Sequence, residues 1–327
     1  MGRMAAMSAA SAALHSPPPP FASGWLPVSG GHRLYHEQRG VPTGIPVLIL
    51  HGGPGSGCSP LMAGFFDPDR YQVILLDQRG SGKSLPGGSC AENTTQDLIE
   101  DIEILRRHLD IDRWLVVGGS WGATLGILYA AAHPGRLNGL LLRNPFLARA
   151  ADLGWFFGGA RPQHPEAWQH WAALGAPEVP GAMLPWLDEC FRGTPPSALA
   201  AHVTAWHGWE CALAGTPSRD LSPAEIDLLQ ARYRLQLHYF RHHCFIAEGG
   251  VLGAAERIAT MDAPIHILQG LADDVCPASA TAILLAKLPN AGCTRVEGVG
   301  HDPYAPAMLS ATLGLVESFA ALGRFAP

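Results

Sequence analysis

Gly118-Gly119-Ser120-Trp121-Gly122 follows the apolar run Trp114 to Val117 and precedes the helical run Ala123 to Ala132. The pattern Gly-x-Ser-x-Gly between a strand and a helix is typical of a nucleophile elbow, a turn too sharp and crowded for side chains beside the serine. An ordinary glycine-rich turn is the alternative reading, and the flanking strand and helix favour the elbow. We therefore expect Ser120 to stand above the edge of a sheet.

Short apolar runs on both sides of this elbow stop at glycine-rich or polar turns. Such runs are typical of buried parallel strands. A helix opened by a capping box of Thr94 and Asp97 separates two of them, and strands that alternate with helices predict right-handed crossovers. The fold class is therefore α/β, with a mostly parallel, doubly wound sheet. The predicted strands are Ile45 to Leu50, Tyr71 to Leu76, Trp114 to Val117, Leu140 to Leu142, Ile265 to Leu268 and Cys293 to Glu297.

A long middle segment lacks this strand pattern and is rich in tryptophan, histidine and proline. One helix start is clear, at Ser222-Pro223-Ala224-Glu225, where serine and glutamate form a capping box. We expect an inserted helical cap over the carboxyl ends of the strands. The predicted division is a poorly ordered leader at 1–30, a catalytic domain at 31–146 and 256–327, and a cap domain at 147–255.

Composition narrows the class of protein. The chain has 327 residues, of which 47% are apolar and 15% charged, with a net charge of −6. This excludes whole-chain disorder and gives no indication of a nucleic-acid partner. No apolar run reaches the roughly 20 residues that cross a bilayer. Seven cysteines without a Cys-x-x-Cys pair, and a leader with a weak apolar centre, predict a cytoplasmic protein.

A serine nucleophile needs an imidazole to take its proton and a carboxylate to orient that imidazole. In the fold that the elbow implies, these partners follow in the order Ser, Asp, His. Asp273 and Asp274 follow the run Ile265 to Leu268, and His301 follows the next run in a glycine-flanked loop. Adjacent aspartates cannot both face one imidazole, so the residues alone leave Asp273 and Asp274 open.

The turn His51-Gly52-Gly53-Pro54-Gly55 follows the first predicted central strand. Acyl transfer creates an oxyanion that is stabilised by two preorganised backbone N–H groups, and glycine lets the backbone approach closely. We expect one donor from Gly52 or Gly53 and the other from Trp121, the residue after the nucleophile.

Metal chemistry is not indicated. His238, His242 and His243 lie close together in sequence, but His-Glu-x-x-His and paired cysteines are both missing. We therefore expect no metal and no cofactor.

Taken together, these motifs resemble those of the proline iminopeptidases, a family of the α/β-hydrolase superfamily. The resemblance extends from about His32 to the end of the chain. Gly-x-Ser-x-Gly alone specifies only the superfamily, whereas the combination is far more specific. The motifs are His51-Gly52-Gly53-Pro54-Gly55, Phe66-Asp67-Pro68, Asp77-Gln78-Arg79-Gly80, Asn93-Thr94-Thr95, Gly118-Gly119-Ser120-Trp121-Gly122, Trp206-His207-Gly208-Trp209-Glu210, His238-Tyr239-Phe240, Asp273 with Cys276-Pro277, and Gly300-His301.

The resemblance implies a serine exopeptidase that acts on small peptides with a free N-terminal proline. It implies Ser120 as nucleophile, Asp273 as acid and His301 as base. It further implies that Glu210 binds the amine of the substrate, since a carboxylate holds an ammonium through a charge-assisted hydrogen bond. The proline ring would pack on aromatic side chains of the elbow and cap, namely Trp121, Phe146, Trp155 and Trp209.

The chain departs from the family pattern at two places. Gln236 stands where many relatives have a second glutamate, and Asn144-Pro145-Phe146 replaces the more usual Gly-Ile-Phe. Two other functions stay open: a general esterase or amide hydrolase with a shifted substrate, and a binding protein on a hydrolase scaffold. The sequence gives no prediction of the oligomeric state.

Overall fold

The described part of the chain is built around an eight-stranded sheet. The computed structural model describes residues 13–179, 181–193, 195–246 and 250–326. In space the strands follow the order β1-β2-β4-β3-β5-β6-β7-β8; β1 and β2 pair antiparallel with their neighbours, and β3 to β8 pair parallel. The strands are β1 (Ala22–Pro27), β2 (Arg33–Gly40), β3 (Ile45–Leu50), β4 (Tyr71–Leu76), β5 (Trp114–Gly119), β6 (Leu137–Arg143), β7 (Ile265–Gly270) and β8 (Gly292–Val296).

Helices cover both faces of the sheet and form the insertion between β6 and β7. The mostly parallel α/β sheet with an inserted helical cap is therefore confirmed. In chain order the helices are α1 (Thr95–His108), α2 (Trp121–Ala132), α3 (Ala150–Gly154), α4 (Pro165–Ala172), α5 (Met183–Gly193), α6 (Pro196–Ala214), α7 (Pro223–Arg241), α8 (Gly250–Ile258), α9 (Ala278–Leu285) and α10 (Pro306–Leu322).

The central strands read as unbroken apolar runs because both of their faces are buried. On β3, Leu48 and Leu50 belong to an apolar cluster on one side of the sheet, while Val47 and Ile49 belong to a second cluster on the other. Each of the four side chains is at most 6% exposed. Since successive residues of a strand point to opposite faces, an apolar residue is needed at every position.

The two antiparallel strands at one side of the sheet, β1 and β2, were missed by the sequence analysis. In β2 the buried positions include His36, Glu37 and Arg39, so the apolar pattern that marks a strand is absent. Glu37 and Arg39 balance each other's charge through an ion pair, with 2.6 Å between Arg39 Nη2 and Glu37 Oε2. The expected leader over residues 1–30 is wrong for Ala22–Pro27, which forms β1; residues 1–12 lie outside the described residues.

Two helix starts were predicted from local sequence, and one domain boundary was not. The predicted capping boxes are present at Thr94 of α1 and at Ser222 of α7. Helix α8 packs on α2, with Val251 and Ile258 buried in the main core. The predicted domain boundary between residues 255 and 256 therefore cuts through a helix of the catalytic core, and the cap segment ends before α8.

Within the ranges described above, the structure contains no helix both long and apolar enough to cross a membrane.

Candidate active site

The turn between β5 and α2 holds Ser120 in a conformation with φ of 56° and ψ of −122°. This left-handed φ is strained for a residue other than glycine. A Cβ on Gly118 would lie 2.2 Å from the carbonyl oxygen of Gly122, and one on Gly122 would lie 2.0 Å from the carbonyl oxygen of Leu50. The glycines are therefore required by backbone contact, and the turn has the geometry of a nucleophile elbow.

The loops after β7 and β8 bring Asp273 and His301 together. His301 Nδ1 donates to Asp273 Oδ2 at 2.7 Å. The other carboxylate oxygen, Oδ1, accepts from the backbone N–H groups of Val275 and Cys276, both at 2.8 Å. The Asp273 side chain is fully buried. These bonds hold one oxygen of the carboxylate toward the imidazole, as a residue that orients a catalytic base requires.

Asp274 points in a different direction from Asp273. Its Oδ2 accepts from Nε2 of His164 at 3.0 Å, and its carbonyl oxygen accepts from the indole N–H of Trp155 at 2.7 Å. Both partners belong to the cap segment. Of the two aspartates that the residue pattern left open, only Asp273 contacts His301 in the described structure.

Ser120 and His301 line the same cavity of about 400 Å³ beneath the cap. Among the described residues the contact found for Ser120 Oγ is with Cys276 Sγ at 3.9 Å, and no hydrogen bond joins Oγ to the imidazole. Such bonds are often long in free enzymes and tighten with substrate. Burial, reinforced by the charge of Asp273, raises the pKa of the Cys276 thiol. The thiol stays protonated, which excludes it as a competing nucleophile at neutral pH.

Two backbone segments meet at the elbow where an oxyanion would form. A Cβ on Gly52 would lie 3.6 Å from Cβ of Ser120, so this loop lies against the nucleophile. Trp121 is the first residue of α2, and its N–H therefore has no acceptor within the helix. Gly53 has a φ of 111°, which favours glycine. Gly52 and Trp121 thus lie beside Ser120, and Gly53 lines the same cavity.

Gln78 was not assigned a role from the sequence, yet it braces both of these segments. Its side-chain amide donates to the carbonyl oxygen of His51 at 3.0 Å and accepts from the indole of Trp121 at 3.0 Å. Its backbone N–H donates to Nε2 of His51 at 3.1 Å. Burial lowers the pKa of His51, so the ring is neutral and can accept this bond. The position of Gln78 in the polar turn that follows β4 was the available signal.

Asn144 and Arg143 link the loops that carry Asp273 and His301. Asn144 Oδ1 accepts from the N–H of Gly270 at 2.8 Å, and its Nδ2 donates to the carbonyl oxygen of Gly300 at 3.3 Å. Arg143 donates to the carbonyl oxygen of His301 at 2.8 Å. The departure from the family pattern at Asn144 therefore falls on a residue that connects the Asp273 loop with the His301 loop.

Glu210 on α6 and Gln236 on α7 line the cap side of the cavity. Tyr233 Oη donates to Glu210 Oε2 at 2.9 Å, and Gln236 Nε2 lies 3.4 Å from Oε1. Burial and the charge of Glu210 raise the pKa of Tyr233, which stays a phenol donor. Arg232, which the sequence analysis missed, forms an ion pair of 3.1 Å with Glu210. Its spacing of four residues from Gln236 on a helix was the available signal.

The predicted aromatic pocket is partly wrong. Phe146 lines the cavity, but Trp155 and Trp209 do not. Trp155 turns its indole to Asp274, and Trp209 donates to the carbonyl oxygen of Phe156 at 2.8 Å. The ring of Trp121 is fully buried behind the elbow. Indole N–H groups need acceptors when buried, and these acceptors lie away from the cavity. The aromatic rings that line it are Phe65, Phe66, Phe146, Phe156, Phe240 and Tyr304.

The histidines near the end of α7 have protein partners. His238 Nε2 lies 2.9 Å from the carbonyl oxygen of Asn93, and His242 stacks on Phe245. Within the part of the chain that the structure describes, no group of three or more histidine, cysteine, aspartate or glutamate side chains has the arrangement of a metal site.

Comparison with known proteins agrees with this geometry. Residues 45–182 match the α/β hydrolase fold family. The chain is 39% identical over 305 residues to the proline iminopeptidase of Xylella fastidiosa, covering 92% of this chain and 97% of the relative. It is 38% identical over 303 residues to the proline iminopeptidase of Arabidopsis thaliana, covering 90% of this chain and 79% of the relative.

Solved structures show the same fold at low sequence identity. An α/β hydrolase from a deep-sea metagenome library superposes with a TM-score of 0.63 at 16% identity, covering 93% of this chain and 99% of that one. An esterase from Rhodococcus superposes with a TM-score of 0.60 at 18% identity, covering 92% and 98%.

Proposed function

We propose, from the fact that this chain belongs to the proline iminopeptidase family of α/β hydrolases, that it is a serine exopeptidase releasing N-terminal proline from small peptides. The observation that carries the proposal is the 2.7 Å bond from His301 to Asp273 beside an elbow serine, in a cavity whose cap wall contains Glu210. The cavity therefore combines Ser120 and His301, the groups for acyl transfer, with the carboxylate of Glu210, which would bind the amine of the substrate.

In the proposed reaction, Ser120 Oγ attacks the carbonyl carbon of the N-terminal residue while Nε2 of His301 takes its proton. His301 then gives this proton to the departing amine as the C–N bond breaks. Asp273 accepts from Nδ1–H and stabilises the imidazolium. Water, with His301 again as base, attacks the acyl-enzyme and releases the amino acid. The N–H of Trp121, with that of Gly52 or Gly53, would stabilise the oxyanion in both halves.

Glu210 is proposed to select substrates with a free amino terminus. A carboxylate binds an ammonium through a charge-assisted hydrogen bond, which is stronger than a neutral one. Phe146 and Phe240, whose ring centroids lie 6.0 Å apart, offer an apolar wall for the proline ring. Closure of the cavity by the cap would limit the enzyme to the first residue of a peptide.

The second candidate is a general esterase or amide hydrolase. The observation that favours it is the ion pair between Glu210 and Arg232, because a carboxylate with an internal partner is less available to an ammonium. A third, non-enzymatic candidate is a binding protein on this scaffold.

Two measurements separate these candidates. The exopeptidase should cleave a prolyl arylamide and leave its N-acetyl form intact, whereas a general hydrolase would cleave both or prefer simple esters. Stoichiometric labelling of Ser120 by a fluorophosphonate would exclude the binding protein, since only an activated serine reacts with this reagent. Failure to cleave any free-amine arylamide, with ester hydrolysis intact, would overturn the exopeptidase.

A further inference from the structure

Arg232 and its neighbours fill the hydrogen-bonding capacity of Glu210. Arg232 Nη2 lies 3.2 Å from Oε1 and 3.1 Å from Oε2 of the carboxylate. Tyr233 donates to Oε2 and Gln236 to Oε1. A carboxylate has about four acceptor positions, and these four contacts use them. An incoming ammonium must therefore share or displace a donor that the protein itself supplies.

The charges around the cavity also indicate that the protein itself balances the charge of Glu210. Among the described residues that line it, Glu210 is the one carboxylate, whereas Arg143 and Arg232 are both guanidinium groups. Asp273 lies behind the wall and offsets the charge of Arg143. The cap end thus contains one negative and one positive charge at hydrogen-bonding distance from each other. Burial lowers the pKa of Arg232, but Glu210, Tyr233 and Cys211 together more than offset this effect, so the pKa of Arg232 is raised and the guanidinium stays charged.

We propose that Arg232 is a specificity-determining residue: as the internal counter-ion of Glu210 it makes the amine subsite electrically neutral. The enzyme then discriminates weakly between acyl groups with a charged amine and uncharged acyl groups of the same shape. An ammonium placed beside Glu210 also lies close to the guanidinium, so attraction and repulsion largely cancel. This inference rests on the proposed function, because it takes Glu210 as the contact for the amine.

The test measures competitive inhibition of p-nitrophenyl acetate hydrolysis by two probes at about pH 7.5. L-Prolinol has a protonated secondary amine at this pH, and cyclopentylmethanol has a similar ring and hydroxyl without a charge. In Arg232→Leu we expect the inhibition constant of L-prolinol to fall about tenfold and that of cyclopentylmethanol to change by less than about twofold. In the wild-type enzyme the two constants should differ by only a few-fold.

Arg234→Leu is the matched control, since Arg234 is exposed on the same helix and does not line the cavity. It makes the same change of charge and should leave both inhibition constants unchanged. Arg232→Gln keeps a polar side chain and should show the same direction of effect as Arg232→Leu if the leucine variant folds poorly. Thermal unfolding reports on the fold of every variant.

An unchanged or higher inhibition constant for L-prolinol in both Arg232 variants would overturn the inference. An equal gain for both probes would also overturn it, because that result reports extra space and not a change of charge. The proposed function fails separately, when the wild-type enzyme cleaves no prolyl arylamide. Selective tightening of L-prolinol in that case would still establish Arg232 as the counter-ion of Glu210.

Discussion

The catalytic core and the cap position their functional groups in different ways. In the core, Ser120, Asp273 and His301 follow β5, β7 and β8, so the parallel sheet itself gathers them at one edge. In the cap, Glu210 and Arg232 stand on separate helices and meet through side chains alone. The core is thus organised by backbone topology and the cap by charge and packing. We therefore expect core substitutions to affect every substrate and cap substitutions to affect only charged ones.

The largest effect should come from the core. Ser120→Ala and His301→Ala should each lower kcat by about a million-fold, and the double variant should lose little more, because the two groups act as a unit. Prolyl arylamides and p-nitrophenyl esters should suffer equally. Steady-state kinetics on both substrate classes, with thermal unfolding to verify the fold, checks this. A loss confined to prolyl substrates would contradict the division between core and cap.

Asp273→Asn should lower kcat by about four orders of magnitude, because an amide at this position favours the wrong imidazole tautomer. The matched control is Asp274→Asn, which changes the adjacent residue in the same way. Since Asn can still accept from His164, we expect this variant to retain most of its activity. Comparing kcat of the two variants is the measurement. A severe loss of kcat in Asp274→Asn with a mild loss in Asp273→Asn would mean that Asp274, and not Asp273, orients the imidazole.

A smaller and selective effect is expected from the cap. Glu210→Gln removes a charge-assisted hydrogen bond worth about 2 kcal/mol and should raise KM for prolyl arylamides about thirtyfold. Hydrolysis of small neutral esters should change little. Glu189→Gln, at an exposed position on α5, is the control for loss of one negative charge from the cap. Equal losses on both substrate classes would mean that the cap had collapsed.

The smallest effect concerns Gln236. Gln236→Glu adds a second carboxylate beside Arg232 and leaves the subsite with a net negative charge. We expect KM for prolyl arylamides to fall about fivefold at neutral pH. Two close carboxylates repel, which raises the pKa of one of them, so the gain should fade as the pH falls. The measurement is kcat/KM between about pH 6 and 9.

Gln236→Leu serves as the control for this variant, since it removes the amide without adding charge and should not lower KM. No gain for Gln236→Glu at any pH would show that position 236 does not contact the substrate amine.

The difference between core and cap also explains how much of the structure could be predicted from the sequence. The strands β3 and β4 were predicted with their exact bounds, because complete burial imposes unbroken apolar runs. The elbow was predictable since Gly118 and Gly122 are forced by backbone contact. Sequence position also favoured His301, and the structure brings it into contact with Asp273.

Features that depend on contacts between side chains were not predictable. The antiparallel strands β1 and β2 were missed because neither has an apolar run: Leu26 is the one buried residue of β1, and in β2 the ion pair of Glu37 with Arg39 replaces apolar burial. Trp155 and Trp209 were placed in the pocket because an aromatic residue gives no sign of the direction in which its indole N–H finds an acceptor. Arg232 was missed because its spacing from Gln236 places it on the same helix face but does not reveal its partner Glu210, which lies on α6.

The pair Asp273 and Asp274 has a consequence for the design of hybrid enzymes. One aspartate faces the imidazole, and the next binds the cap through His164 and Trp155. The loop that orients the base is therefore also the joint on which the cap rests. A cap transplanted from a relative would need its own donors for Asp274, because a graft that matched only the substrate pocket would leave this joint unsupported and displace the neighbouring carboxylate.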